Sequence, residues 1–272
     1  MSAPDRDRGV SGAEPPMSER RSRRPAREAS EGAEGAAAGR ARGGGSRGER
    51  SAPAPSGLIT VAIPKGRLLQ ESSALFERAV GVSPRELLEG TRRLAADAPE
   101  AGLRFISIRA ADVPSYVEHG AADAGVAGLD VLREEPRDLY EPIDLGIGRC
   151  RVVVARPREA GPLAQGVAPR VATKYVALAG RHFARRSLPA EIIELHGSIE
   201  VAPSLGLSDL IVDVVETGET LRANGLVVVE EVLRVSARFI VNRVALKLHA
   251  ERLRRLISAL RTAVVAAGTR SG

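Results

Sequence analysis

Leu58-Ile-Thr-Val-Ala-Ile-Pro-Lys-Gly-Arg-Leu-Leu69 decides the fold class. Leu58 to Ile63 form an apolar run of strand length, and Pro64-Lys-Gly66 breaks it. From Leu68 the period changes: Leu68, Leu69, Leu75, Phe76, Ala79 and Val80 recur at helical spacing. A buried strand that turns at once into an amphipathic helix is the repeating unit of an α/β protein. The alternation continues outward, with strand candidates at 103–108, 124–127, 151–155, 170–173, 191–195, 210–215, 226–233 and 238–241. Helical stretches fall between most of them. Asp112 followed by Pro114 reads as a helix start. One closing helix, 244–267, carries Leu246, Leu253, Leu256, Ile257, Leu260 and Val264 on one face. The pattern predicts an α/β fold with largely parallel sheets.

The chain of 272 residues has room for one large domain or two modest ones. Aromatic residues make up 3% and Trp is absent, which predicts a core of Val, Leu, Ile and Ala. Residues 1–57 contain no Ile, Leu, Phe or Tyr. Such a segment buries too little apolar surface to offset its ordering entropy, so it reads as a disordered, dispensable tail. The formal charge of +6 invites a nucleic-acid reading, but only three of the 40 basic residues are lysines (Lys65, Lys174 and Lys247). That skew towards Arg is a compositional bias, and no basic stripe with interleaved aromatics accompanies it. The single cysteine, Cys150, excludes an internal disulfide framework and reads as an inert strand residue. No apolar stretch reaches the roughly 18–20 residues of a membrane span, and the N-terminus has no apolar signal region. A cytoplasmic protein is the expectation.

The chemistry concentrates at turns. In Ile211-Val-Asp-Val-Val-Glu-Thr-Gly-Glu-Thr-Leu221 a strand carrying Asp213 ends in a turn with Gly218 between Thr217 and Thr220, and a helix follows. Glycine lets backbone approach a ligand, successive N–H groups point at anionic oxygens, and two hydroxyls add donors. Asp213 suits ribose hydroxyls or a hydrated Mg²⁺. Pro64-Lys-Gly-Arg67 sets two cations beside a glycine at another strand-to-helix turn, a pattern suited to polyphosphate. Two further turns are Leu195-His-Gly-Ser-Ile-Glu-Val-Ala-Pro203, with Glu200, and Val126-Ala-Gly-Leu-Asp130. His119, His182, His196 and His249 share no metal-ligand spacing, and neither a G-x-S-x-G elbow nor a P-loop occurs. What remains is a set of phosphate-friendly turns at strand C-termini, where open α/β sheets bind ligands.

These motifs, in order, resemble the ATP phosphoribosyltransferase family. The resemblance is carried by Pro-Lys-Gly-Arg-Leu at 64–68, Ala-Ala-Asp-Ala-Gly-Val-Ala-Gly-Leu-Asp-Val-Leu at 121–132 and Asp-Leu-Gly-Ile-Gly-Arg-Cys-Arg-Val-Val-Val-Ala at 144–155. Arg-Val-Ala-Thr-Lys-Tyr at 170–175, Gly-Ser-Ile-Glu-Val-Ala-Pro at 197–203 and Asp-Val-Val-Glu-Thr-Gly-Glu-Thr-Leu-Arg-Ala-Asn-Gly-Leu at 213–226 complete it. It implies two α/β domains around a cleft, as in the bilobal (type II) periplasmic-binding-protein fold. The first would span 58–147 plus 228–266, and the second 148–227. The implied reaction joins ATP to phosphoribosyl pyrophosphate (PRPP) and releases pyrophosphate, the first step of histidine biosynthesis. Asp213 and the turn Glu216, Thr217, Gly218, Glu219, Thr220 and Leu221 would hold the ribose and 5′-phosphate of PRPP. Lys65, Arg67 and Glu200 would be the catalytic set. Asp130, Thr173, Lys174 and Tyr175 would face ATP, and Mg²⁺ would meet Asp213 through water or PRPP.

Three positions depart from the family pattern: Glu219, Leu129 and Val176 stand where relatives often carry other residues. The last helix ends near Ala267, so the resemblance is to the short form. That form works with a regulatory subunit similar to histidyl-tRNA synthetase, and the expectation is that the isolated chain turns over slowly. A non-catalytic solute-binding module of the same architecture is the rival reading. The missing secretion signal and the intact turn at 216–221 weigh against it.

Overall fold

A computed structural model describes residues 57–89, 94–161 and 166–268. The expected tail lies outside the described residues except for Gly57. The chain first builds β1 (Ile59–Pro64), α1 (Arg67–Val80), α2 (Pro84–Leu88), β2 (Ala95–Ala98) and β3 (Leu103–Ile108). It continues through α3 (Val113–Glu118), β4 (Ala124–Gly128), α4 (Leu129–Glu134) and β5 (Leu139–Asp144). It then enters a second sheet with β6 (Cys150–Pro157), β7 (Arg170–Thr173), α5 (Val176–Arg185), β8 (Glu191–Glu194), β9 (Leu210–Val215), α6 (Glu219–Ala223) and β10 (Leu226–Val235). It returns to the first sheet as β11 (Ala237–Asn242), followed by α7 (Arg243–Leu248) and α8 (Ala250–Gly268).

The first sheet has the order β2-β3-β1-β4-β11-β5 and the second β10-β6-β9-β7-β8. Parallel pairing is confined to β3-β1-β4 in one and β8-β7-β9 in the other. The remaining pairs are antiparallel, so the sheets are mixed rather than largely parallel. Four of these five pairs follow from the double crossing: β6 and β11 are entered straight from the opposite lobe, with no crossover helix to reverse their direction, and the fifth, β2 with β3, is joined by a short turn. The return also comes later than position 228. All of β10 pairs with β6 in the second sheet, and the chain recrosses at Ser236.

The first lobe's core departs from the aliphatic expectation. Phe76 of α1 packs edge-on against Phe105 of β3, with ring centroids 5.2 Å apart, and lies 6.4 Å from Phe239 of β11. All three rings are fully buried among Ile59, Val61, Leu75, Leu253 and Leu260. α8 covers the same core alongside α1. The single helix expected over 244–267 is interrupted at His249, which leaves the helical conformation. The break lets Ala245 of α7 and Leu253 of α8 enter one core. The second lobe has separate clusters on the two faces of its sheet, one including Tyr175 and Phe183 and the other wholly aliphatic.

α4 bridges the lobes. It leaves the first sheet at Gly128, yet Leu129 belongs to the second lobe's core with Val152, Val154 and Tyr175. The Glu134 carboxylate accepts the backbone N–H groups of Ala177 (2.7 Å) and Leu178 (2.9 Å), two otherwise unpaired donors in the first turn of α5.

Candidate functional site

Each candidate turn follows the C-terminal end of a strand. In the first lobe, parallel β1, β3 and β4 end at Pro64, Ile108 and Gly128. Lys65–Arg67, Arg109 and Asp130 therefore share one edge. In the second, parallel β9, β7 and β8 end at Val215, Thr173 and Glu194. The turns holding 216–221, Lys174 and Glu200 share the other. The two edges meet. Arg67 forms an ion pair with Glu216, and the Tyr175 hydroxyl donates to Asp130 Oδ2 at 2.6 Å. A cavity of about 460 Å³ lies there, lined by Arg67, Cys150, Glu200, Asp213 and the turn from Val214 to Leu221.

The turn has the conformation its sequence requires. Gly218 takes φ 80° and ψ 9°, in the left-handed region that favours glycine. The Thr217 hydroxyl accepts the Glu219 N–H at 3.4 Å, which turns the backbone into α6. Leu221 is the anchor, buried in the aliphatic cluster beneath the turn with Ile211, Val215 and Leu226.

Asp213 points into the cavity from β9. One of its oxygens accepts the Val214 N–H (2.7 Å) and lies 3.5 Å from Lys174 Nζ. Burial pushes its carboxyl above the ordinary range; Lys174 pulls the other way, and Glu200 adds to the upward push. Lys174 in turn sits 5.0 Å over the Tyr175 ring.

Behind Lys174 the expected ATP contacts split. The Thr173 side chain is buried and its hydroxyl is fully engaged: it donates to Val212 O (2.6 Å) and accepts from Tyr175 N (2.8 Å). Tyr175 is also buried, and its phenol stays protonated far beyond its usual range, through burial first and the Asp130 charge second. Thr173, Tyr175 and Asp130 thus brace one another, and Lys174 reaches the cavity lining through Asp213, 3.5 Å from its Nζ. Lys65 stands exposed at the rim. Arg67 is held on two sides, by Glu216 across the cleft and by Glu71 at 3.2 Å on its own helix.

One residue of the cavity lining and one cation on the same sheet edge are absent from the sequence candidates. Cys150 is not simply an inert strand residue but part of the cavity lining, with its thiol pushed up to about 11 mainly by burial. Its place follows from antiparallel β6, whose start lies beside the end of β9. Arg109 is exposed one residue beyond β3 and makes no ion pair among the described residues. Its signal was available: a cation directly after a strand, as Lys65 is directly after β1, and the two strands run parallel.

Comparison with known proteins agrees with this geometry. The family model described as "HisG: ATP phosphoribosyltransferase" matches residues 109–262. An ATP phosphoribosyltransferase of Anaeromyxobacter sp. (strain K) is 80% identical over 216 residues, covering 79% of this chain and 98% of the relative. One from Halorhodospira halophila is 49% identical, covering 79% and 99%. The ATP phosphoribosyl transferase (HisG:HisZ) complex from Thermotoga maritima contains a chain of similar structure, with TM-score 0.66 and 32% identity. It is matched over 77% of this chain and all of that one. The periplasmic aliphatic sulphonate binding protein SsuA from Escherichia coli shares the bilobal fold, with TM-score 0.51, 12% identity, and coverage of 79% and 75%.

Proposed function

The chain belongs to the ATP phosphoribosyltransferase family, pentosyl-transferring enzymes that open histidine biosynthesis, and on that premise we propose how its cleft joins ATP to PRPP. The observation that carries the reading is the meeting of Arg67 with the 213–221 turn in one cavity. The turn receives the 5′-phosphate through its backbone N–H groups and the Thr217 and Thr220 hydroxyls. Asp213 accepts the ribose hydroxyls. Arg67 and Lys65 face the pyrophosphate, and Lys174 holds Asp213 while remaining within reach of phosphate oxygens. Adenine N1 of ATP attacks C1 of the ribose, the C1–O bond to pyrophosphate breaks, and the configuration at C1 inverts. Bond breaking runs ahead of bond making, so positive charge develops on the ribose ring. The chain's part is alignment and charge stabilisation rather than a nucleophile of its own. Alignment alone supplies roughly 7–11 kcal/mol of barrier reduction. Glu200, beside Asp213, is the candidate base.

The charge of the lining supports a role for Mg²⁺. Glu200, Asp213, Glu216 and Glu219 all line the cavity, against one guanidinium, that of Arg67. A bare polyphosphate would be repelled there, whereas a magnesium complex brings its own countercharge. Among the described residues no three His, Cys, Asp or Glu side chains form a metal cage. That donor set fits an ion held mainly by phosphate and water, with Asp213 as its one protein partner. When bound, the ion would neutralise the leaving pyrophosphate.

We further propose that the chain is the short-form catalytic subunit and works in the cytoplasm with a regulatory subunit resembling histidyl-tRNA synthetase. The likeness to a chain of the Thermotoga complex supports this, as do relatives matched over nearly their whole length. No helix of the described residues is long and apolar enough to cross a membrane. Likeness to the sulphonate-binding protein concerns the fold alone. The test is pyrophosphate release from ATP, PRPP and Mg²⁺, measured with and without the regulatory subunit. Release should be slow for the chain alone, then rise and become histidine-sensitive with the partner. No release in either arm overturns the catalytic reading. Full turnover of the chain alone with strong histidine inhibition overturns the partner reading.

A further inference from the structure

We propose that Glu71 is a positioning residue for Arg67 and thereby links the hinge loop to the pyrophosphate end of the cleft. The inference rests on Arg67 being a pyrophosphate contact. Glu71 lies one helical turn beyond Arg67 on α1, and its two oxygens face different partners. Oε1 lies 3.2 Å from Arg67 Nε. Oε2 accepts the backbone N–H of Gly148 at 2.6 Å, from the segment that carries the chain between the two sheets.

An i,i+4 ion pair on a helix surface contributes little by itself. The Gly148 bond makes this one different. Gly148 is buried at φ 61°, and a Cβ there would stand 2.5 Å from Leu68 Cδ2. A residue without a side chain is what allows the hinge backbone to lie against α1 and present its N–H to Glu71. The carboxylate is thus fixed from behind, and it fixes Nε of the guanidinium in front. Nη1 on the other side of the fork is left for Glu216 of the opposite lobe. An arriving anion replaces Glu216 at that nitrogen while Glu71 keeps its hold on Nε. Arg67 therefore meets the ligand already oriented, and less side-chain freedom is lost on binding. Any shift of the hinge backbone at Gly148 is passed through Glu71 to the same guanidinium.

The test is a double-mutant cycle on the full chain, titrating inorganic pyrophosphate with Mg²⁺ by calorimetry. Glu71→Gln keeps an acceptor for Gly148 and removes the charge that orients Arg67; it should weaken pyrophosphate binding about tenfold, inside the range of coupling for residues in one network. In an Arg67→Ala background the same change should do nothing or tighten binding slightly, because the removed negative charge is then its sole effect. Parent-like affinity in Glu71→Gln, or an equal loss in both backgrounds, overturns the proposal while leaving the reading of Arg67 intact. If Arg67→Ala itself binds pyrophosphate like the parent, that reading fails and the inference falls with it.

Discussion

The two turns that face each other across the cleft share a backbone plan but differ in nearly everything else. Each is a strand, a glycine with φ close to 80°, and a helix: Gly66 leads into α1 and Gly218 into α6. α1 runs for 14 residues and sinks Leu75 and Phe76 into the first lobe's core; α6 has five residues and one buried anchor, Leu221. The first turn carries Lys65 and Arg67, the second two threonines, Thr217 directly after Glu216 and Thr220 directly after Glu219. On the proposed reading, one turn acts by charge from a deeply buried mount, and the other by hydrogen-bond geometry from a light one. An ion pair between Arg67 and Glu216 makes each the other's occupant when no substrate is bound.

The sharpest way to break this comparison is to attack the mounts. Phe76→Ala should destabilise the chain by about 3–5 kcal/mol, the cost of removing a fully buried aromatic ring. Leu221→Ala should cost about 2–3 kcal/mol at most, because its cluster is smaller and close to the surface. Urea midpoints at equal slope measure both, and equal losses would mean the mounts do not differ. Next in size is the hydroxyl chemistry of the second turn. Thr217→Ala removes a donor to a charged acceptor, a bond of about 1.5–3 kcal/mol. PRPP affinity should fall by about one to two orders of magnitude by calorimetry while the urea midpoint stays put, and parent-like binding would remove the turn from the site. The smallest effect belongs to the glycine. A Cβ on Gly218 would meet nothing closer than 3.5 Å, so Gly218→Ala costs only the left-handed backbone, about 1 kcal/mol. A melting-temperature drop of a few degrees and a several-fold weaker PRPP titration are expected. Loss of all binding would show that the turn tolerates no adjustment.

Most of the frame was legible because buried strands announce themselves. β1, β3, β6, β7 and β9 are apolar runs paired on both sides, or flanked by helices that bury them. The two strands missing from the sequence reading, β2 and β5, are both sheet edges, paired on one side only. Ala95-Ala-Asp-Ala98 has no β-branched or aromatic residue, and Pro142 sits inside β5. Proline is tolerated there because an edge strand need not donate on its open side. Patterning cannot see such strands, since the neighbour rather than the residue makes them. The site was legible at its turns for the opposite reason. Lys65 and Lys174 are two of just three lysines in an arginine-rich chain, and each directly follows the end of a parallel strand. What the sequence could not reveal was division of labour. Thr173, Tyr175 and Asp130 look like ligand contacts on paper, but the two hydroxyls and one Asp130 oxygen are already engaged with one another or with backbone, and the Tyr175–Asp130 bond becomes visible only when the lobes meet.

The bond between Tyr175 and Asp130 also gives the protein an optical property. The chain has no tryptophan and three tyrosines. Tyr116 and Tyr140 stand in solvent on the first lobe, each 43% exposed, whereas Tyr175 is buried at the contact between lobes with its proton pinned to a carboxylate. With no indole to drain excitation from the phenols, ultraviolet emission is tyrosine emission throughout, and the strongly hydrogen-bonded ring is the quenched one. Parting of the lobes at that contact should brighten a single fluorophore, and steady-state tyrosine emission would read it. The molecule therefore carries its own label for cleft opening, placed by the same residues that brace Lys174.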